Sequence, residues 1–286
     1  MNRPEPPVRP AVRVTVGQLS VTDDRAANRE AVQDAFAIAE RARADLLVLP
    51  EYASSFDPHG VGEQHAEPLD GPFVQLVRAC AARTGVAALA GTTLPGPGDG
   101  RAVNAVVGVD GTGALVGVYR KVHLYDAFGH RESDRLVPGP ADAPPLVLEV
   151  AGLRFGVMTC YDLRFPEQAR RLVDAGADVL VVPAAWADGE LKALHWRTLA
   201  VARAIENTCA VVAVGQAGRG VVGRSLVVAP DGVVGLELDE RPGVRTVDVD
   251  GAALAVVRER NPSLANRRYD VVPRGVERLA DPDASR

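Results

Sequence analysis

Short β-branched runs alternate with helix-period patterns along most of this chain. Residues 12–18 read as a strand, and Val32, Ala35, Phe36 and Ala39 then recur at the spacing of one helix face. Residues 46–49 read as a buried strand that stops at Pro50-Glu51. Gly71-Pro72 opens a second helix in which Phe73, Leu76, Val77 and Cys80 fall at i, i+3, i+4 and i+7, and Gly85 stops it. That spacing places Cys80 in the core. Strands follow at 86–91, 103–109 and 114–119, the last two joined at Asp110-Gly111, and another pair at 146–150 and 153–159 turns around Ala151-Gly152. Pro166 begins a helix that reaches Ala175, residues 179–182 form a strand, and 191–207 carry a long helix. Strands at 211–214, 225–228 and 233–238 complete the series, the last two joined at Asp231-Gly232.

Strand–helix alternation interleaved with hairpins predicts mixed rather than purely parallel sheets. So many strands against so few helices predict an α/β fold of two packed sheets with helices outside. No internal repeat stands out. The first ten residues hold four prolines and read as a loose tail (1–10), followed by one domain over 11–250. From Gly251 the periodicity fades, and 251–286 read as an extended arm.

Composition narrows the function classes. With 47% hydrophobic and 24% charged residues over 286 positions, the chain can bury a large core. A net charge of -5 without a basic block argues against a nucleic-acid surface. No apolar run approaches the roughly 18 residues of a membrane span, and no signal-peptide stretch opens the chain, so no membrane partner is expected. Three distant cysteines form neither a disulfide framework nor a zinc spacing, which favours a reducing cytoplasm. His59, His65 and His130 also lack ligand spacing, so no metal is expected.

Of 32 basic residues only Lys121 and Lys192 are lysine. In Val118-Tyr119-Arg120-Lys121-Val122-His123-Leu124 a lysine stands beside an arginine, although the two differ in donor geometry and in how burial moves their pKa. Glu51, Lys121 and Cys160 share one address: each closes or follows a predicted strand, where α/β folds gather distant side chains at a crevice. Around Cys160, a strand–nucleophile–turn–helix order can expose a thiol and aim backbone N–H groups at a developing negative charge. A thiol nucleophile needs a base or a cation, and glutamate and lysine supply both. A Cys–His pair using His123 or His195, or a scaffold with no chemistry, are the competing readings.

These residues also carry a resemblance. Leu46-Leu47-Val48-Leu49-Pro50-Glu51, Tyr119-Arg120-Lys121-Val122-His123-Leu124 and Cys160-Tyr161-Asp162-Leu163-Arg164-Phe165-Pro166-Glu167 resemble, in order, the three signature blocks of the nitrilase superfamily of carbon–nitrogen hydrolases. Pro183-Ala184-Ala185-Trp186, His195-Trp196-Arg197, Arg203-Ala204-Ile205-Glu206-Asn207 and Gly223-Arg224-Ser225 extend the likeness over roughly residues 11 to 250. The resemblance implies a four-layer α-β-β-α sandwich with two mixed sheets, a homodimer or higher homo-oligomer formed through helices, and no cofactor. It implies Glu51 as general base, Lys121 as stabiliser of the tetrahedral intermediate and Cys160 as nucleophile. Glu132, in His130-Arg131-Glu132-Ser133, best matches the family's second glutamate, and the Tyr161 N–H would complete the oxyanion hole.

Tyr-Asp-Leu-Arg-Phe-Pro-Glu after the cysteine position resembles the amidase branch, near ω-amidases and amidases of deaminated glutathione, rather than nitrile-hydrolysing members. Arg164 is then a candidate fork for a substrate carboxylate, against the plainer reading of an ion pair with Glu167 or Asp162. The expected partner is a small carboxylate-bearing amide, such as deaminated glutathione or α-ketoglutaramate, hydrolysed to an acid and ammonia. N-carbamoyl amino acids and nitriles are the alternatives. Tyr125 to Gly129 line the same pocket or simply pack a loop. Gly218-Arg219-Gly220-Val221-Val222-Gly223 satisfies a dinucleotide fingerprint, but a strand rather than a helix should follow it.

Overall fold

A computed structural model describes residues 11–274. Among the described residues twelve strands form two six-stranded sheets. The first contains β1 (Ala11–Gln18), β2 (Leu46–Val48), β3 (Ala87–Pro95), β4 (Ala102–Val109), β5 (Leu115–Arg120) and β12 (Gly243–Asp250), in the order β12-β1-β2-β3-β4-β5. The second contains β6 (Val147–Val150), β7 (Leu153–Val157), β8 (Val179–Ala184), β9 (Ala210–Gly215), β10 (Leu226–Val228) and β11 (Val234–Glu237), in the order β11-β10-β9-β8-β7-β6. In each sheet three neighbouring strands run parallel, β1-β2-β3 and β7-β8-β9, and antiparallel strands flank them. The two halves of the chain therefore repeat one topology without a repeated sequence.

Helices α1 (Arg25–Arg41) and α2 (Pro72–Thr84) connect the parallel strands of the first sheet, and α3 (Pro166–Asp174) and α4 (Lys192–Asn207) those of the second. Both faces of β2 are buried, and its residues alternate between two layers with the period of a strand. Leu46 and Val48 join Val14, Phe155 and Val157 in the core between the sheets. Leu47 and Leu49 pack instead under Phe36, Phe73 and Val77 of α1 and α2. Leu172, Trp196 and Ala200 bring α3 and α4 against the other side of the second sheet. The layers are α-β-β-α, as the resemblance implied.

Local signals explain the helix ends. Asp24 caps α1 by accepting from the N–H groups of Ala26 and Ala27. Pro72 sits in the first turn of α2, and Gly85 ends it with a left-handed φ of 71°. Cys80 and Cys209 are buried.

Two elements depart from expectation. β12 was not predicted; it is an edge strand with one partly exposed face, and it pairs antiparallel with β1 along its whole length. The extended arm expected from residue 251 opens instead with helix α5 (Gly251–Arg260), whose Asp250 cap accepts from Ala252 N–H. Its apolar residues run unbroken from Ala252 to Val257 and so are spread round the helix, and no clean stripe marked it in the sequence. Two arginines tie this segment back to the domain: Arg258 pairs with Asp178 at 3.1 Å, and Arg267 pairs with Asp174 of α3. The expected tail 1–10 and the end of the arm, 275–286, lie outside the described residues. Among the described residues no helix is long and apolar enough to cross a membrane.

Candidate active site

Three strand ends converge on one point. Glu51 follows β2 across Leu49-Pro50, Lys121 directly follows β5, and Cys160 opens a short 3-10 turn, Cys160–Arg164, after β7. Glu51 and Lys121 thus come from the first sheet and Cys160 from the second. Glu132, on a single turn in the loop after Lys121, joins them.

Lys121 is 1% exposed, and its Nζ lies 3.0 Å from Glu51 Oε1 and 2.9 Å from Glu132 Oε2. Burial alone would push this ammonium down, but Glu132 and Glu51 outweigh it and hold its pKa well above the ordinary value. Every remaining carboxylate contact is a donor. Asn104 of β4 donates to Glu51 Oε1 (2.7 Å), and the Ala185 N–H beyond β8 donates to Glu51 Oε2 (2.6 Å). The Tyr52 hydroxyl donates to Glu132 Oε1 (2.6 Å) and accepts from Asn104 (2.8 Å), and Tyr125 N–H donates to Glu132 Oε2 (2.6 Å). Both carboxylates are therefore fixed by hydrogen bonds as well as by the lysine.

Cys160 takes a left-handed φ of 47°, unusual for a residue with a Cβ and costing of order 1–3 kcal/mol. Its surroundings hold it there. Buried Asp162 accepts from Thr159 N–H (2.9 Å), the Tyr119 hydroxyl (2.6 Å) and His123 N–H (3.1 Å), and its Oδ1 lies 2.7 Å from His123 Nδ1. This one carboxylate locks the cysteine turn to the segment carrying Lys121. His123 also stacks on Phe165, with centroids 3.7 Å apart, so it braces the turn from the side of the Lys121 segment. The first internal bond of the turn runs from Asp162 N–H to Thr159 O (3.0 Å). The Cys160 and Tyr161 N–H groups precede it, in the part of a helical turn whose donors lack an intrahelical partner. Burial, and then the charge of Glu51, push the Cys160 thiol well above its ordinary pKa, while Lys121 pulls the other way. These influences favour the protonated thiol, which Glu51 adjoins.

Glu51, Lys121, Glu132 and Cys160 form the floor of a cleft of about 420 Å³, whose walls include Phe56 and His130. A smaller hollow adjoins it, lined by Cys160, Tyr125, Tyr161, Arg164, Trp186 and Lys192. Arg164 makes no ion pair with Glu167 or Asp162: both Asp162 oxygens are occupied as above, and Glu167 is exposed in the first turn of α3. Its guanidinium lies over the Trp186 ring at 4.8 Å and 3.4 Å from His195 Nδ1, and its Nε is buried without a partner. His195 therefore meets Arg164 and not the thiol. The glycine-rich 218–223 segment leads into β10, as its context required.

Sequence reasoning missed Tyr52, Asn104 and Lys192. Lys192 carried a signal, being one of only two lysines. Tyr52 and Asn104 carried none, since their partners are set by how the strands dock.

Gly91 of β3 makes the Glu51 position possible. A Cβ there would stand 2.4 Å from Pro50 O and 2.5 Å from Glu51 Cα, both backbone atoms that cannot step aside. Gly91→Ala is expected to lower kcat about 10²-fold by displacing Glu51, with a smaller change in KM. Unchanged steady-state kinetics would contradict that coupling.

The carbon-nitrogen hydrolase profile matches residues 13–259, nearly all of the chain. The chain belongs to the carbon-nitrogen hydrolase family. This hydrolase is 38% identical over 258 residues to the deaminated glutathione amidase of Escherichia coli O157:H7, covering 90% of this chain and 97% of that protein. A CN-hydrolase superfamily protein of Xanthomonas campestris superposes with a TM-score of 0.79 at 30% identity, over 92% of this chain and 99% of the other. An amidase from Nesterenkonia sp. AN1 superposes with a TM-score of 0.73 at 27% identity, over 89% of this chain and 98% of the other. In a mutant of that amidase, acrylamide adds to the active-site cysteine by Michael addition.

Proposed function

We propose that this carbon-nitrogen hydrolase cleaves a small carboxylate-bearing amide through a thioester on Cys160. Glu51 takes the thiol proton as Sγ attacks the amide carbonyl carbon. Lys121 and the Tyr161 N–H hold the oxyanion that forms. The C–N bond breaks as Glu51 returns the proton to the leaving nitrogen. Water then attacks the thioester, giving its proton to Glu51, with Glu132 keeping Lys121 in place. Collapse of the second tetrahedral intermediate releases the acid and restores the thiol.

The observation that carries this reading is the meeting of Glu51, Lys121 and Cys160, from two sheets, at the floor of one cleft. The electrophile captured by the Nesterenkonia cysteine supports the nucleophile. Arg164, beside Cys160 and without a carboxylate partner among the described residues, supports an anionic substrate. The Escherichia coli relative, an amidase of deaminated glutathione, points the same way. Where the amide is secondary, as in deaminated glutathione, the leaving group is an amine rather than ammonia.

The test is acid release across deaminated glutathione, α-ketoglutaramate, neutral aliphatic amides, N-carbamoyl amino acids and nitriles. Preference for the first two is expected. Preference for carbamoyl compounds or nitriles would overturn the substrate class.

A further inference from the structure

Lys192 is placed where three separate effects oppose a positive charge. It is the first residue of α4, at the end of the helix whose dipole repels cations. It is 6% exposed, and lysine is almost never so buried without a partner. Its neighbour in the hollow is another cation, Arg164. Burial and then Arg164 lower its pKa, and only Cys160, once ionised, acts in the opposite sense. No carboxylate pairs with either cation among the described residues. What holds Lys192 is uncharged: its Nζ lies 2.5 Å from the Tyr125 hydroxyl and 3.6 Å from the Phe128 ring centroid. Trp186 fixes its backbone, the indole N–H donating to Lys192 O at 3.0 Å.

Two unpaired cations therefore face one small hollow that opens on the thiol, a charge pattern that an incoming anion would complete. The division of groups between the two spaces gives the direction of the substrate. Glu51, Lys121 and Glu132 line the open cleft, and none of them lines the hollow. Proton delivery to the leaving nitrogen and activation of water belong to the cleft, which also gives the amine its exit. The acyl chain, which must stay anchored as a thioester while amine and water exchange, starts at Cys160, and the hollow of about 20 Å³ beside it has room for the chain's terminal carboxylate only.

We infer that Lys192, together with Arg164, binds the distal carboxylate of the substrate's acyl chain, so that Lys192 is a specificity-determining residue for monoamides of short dicarboxylic acids. The inference rests on the carboxylate-amide reading above, and the two can fail separately. Arg164 presents a planar fork to the carboxylate, and Lys192 adds a point charge from the aromatic side of the hollow.

The experiment compares succinamate with butyramide, a neutral near-isostere, on the parent protein, Lys192→Met and Lys192→Arg. Methionine keeps the packing against Phe128 and removes the charge. In the parent, the ratio of the two kcat/KM values reports on the carboxylate reading, and a ratio near one would overturn it. In Lys192→Met that ratio is expected to fall at least about tenfold, mostly through KM, with partial recovery in Lys192→Arg. An equal loss on both substrates, or an unchanged ratio, would make Lys192 a structural tie and overturn the inference. Calorimetric titration of glutarate into the parent and Lys192→Met gives a readout independent of turnover. Weaker binding to the variant is expected, and equal binding would count against the subsite.

Discussion

Glu51→Gln is expected to cost roughly 10²–10⁴-fold in kcat while making the Cys160 thiol easier to ionise. The two effects run in opposite directions for one reason. After burial, the negative charge of Glu51 is the largest influence raising the thiol pKa, and Lys121 acts against it. Removing that charge leaves Lys121 in place, so the pKa moves down and the thiolate fraction at a given pH goes up. Turnover nevertheless falls, because glutamine cannot carry the proton from sulfur to the leaving nitrogen. Thiolate absorbance against pH, with Cys160→Ala as the blank, measures the first effect, and steady-state kinetics the second. A variant whose thiol titrates higher than in the parent would contradict the electrostatic account. One that keeps full activity would remove Glu51 as the base.

Lys121→Met has the second large effect, on stability as well as activity. Two carboxylates lie within 3.0 Å of a buried ammonium, and without it they face each other uncompensated. Removing one partner of a buried ionic group costs about 3–5 kcal/mol, a loss that denaturant unfolding would resolve. The deficit should shrink as pH falls, since the freed carboxylate pair takes up a proton that the parent pair does not need. Adding Glu132→Gln to Lys121→Met should restore part of the stability and none of the activity. A single variant as stable as the parent would show that packing, and not charge pairing, holds the floor of the cleft.

The strands and their grouping into mixed sheets were legible, though not their order, because the apolar runs of β2, β4 and β9 and the turn pairs Asp110-Gly111 and Asp231-Gly232 are local signals. Glu51, Lys121 and Cys160 were legible as strand-end residues in recognisable blocks. β12 turns only a short alternation, Val247 and Val249, toward the core, and α5 lacked a stripe, so neither left a strong periodic trace. The neighbours of the site were illegible for another reason. Asn104 is 53 positions from Glu51, and Ala185 is 134 positions from it. No spacing rule spans such intervals, because those contacts arise only when strands pair and sheets dock. Lys192 shows the limit most plainly: its rarity was visible, but the neighbour that gives it meaning, Arg164, lies on the preceding helical turn of the other βα unit.

The topology shared by the two sheets has a consequence for assembly. Glu51, Lys121 and Glu132 descend from one sheet, and Cys160, Arg164 and Lys192 from the other, so neither half of the polypeptide holds a reaction centre alone. Chemistry can begin only after the layers have come together in register, which makes turnover a reporter of completed folding. The last strand strengthens that dependence. β12 is the last strand of the described residues, yet it closes the edge of the first sheet against β1, the first of them. A nascent chain released before that clasp forms would leave an open ladder at β1, a template for pairing with another chain.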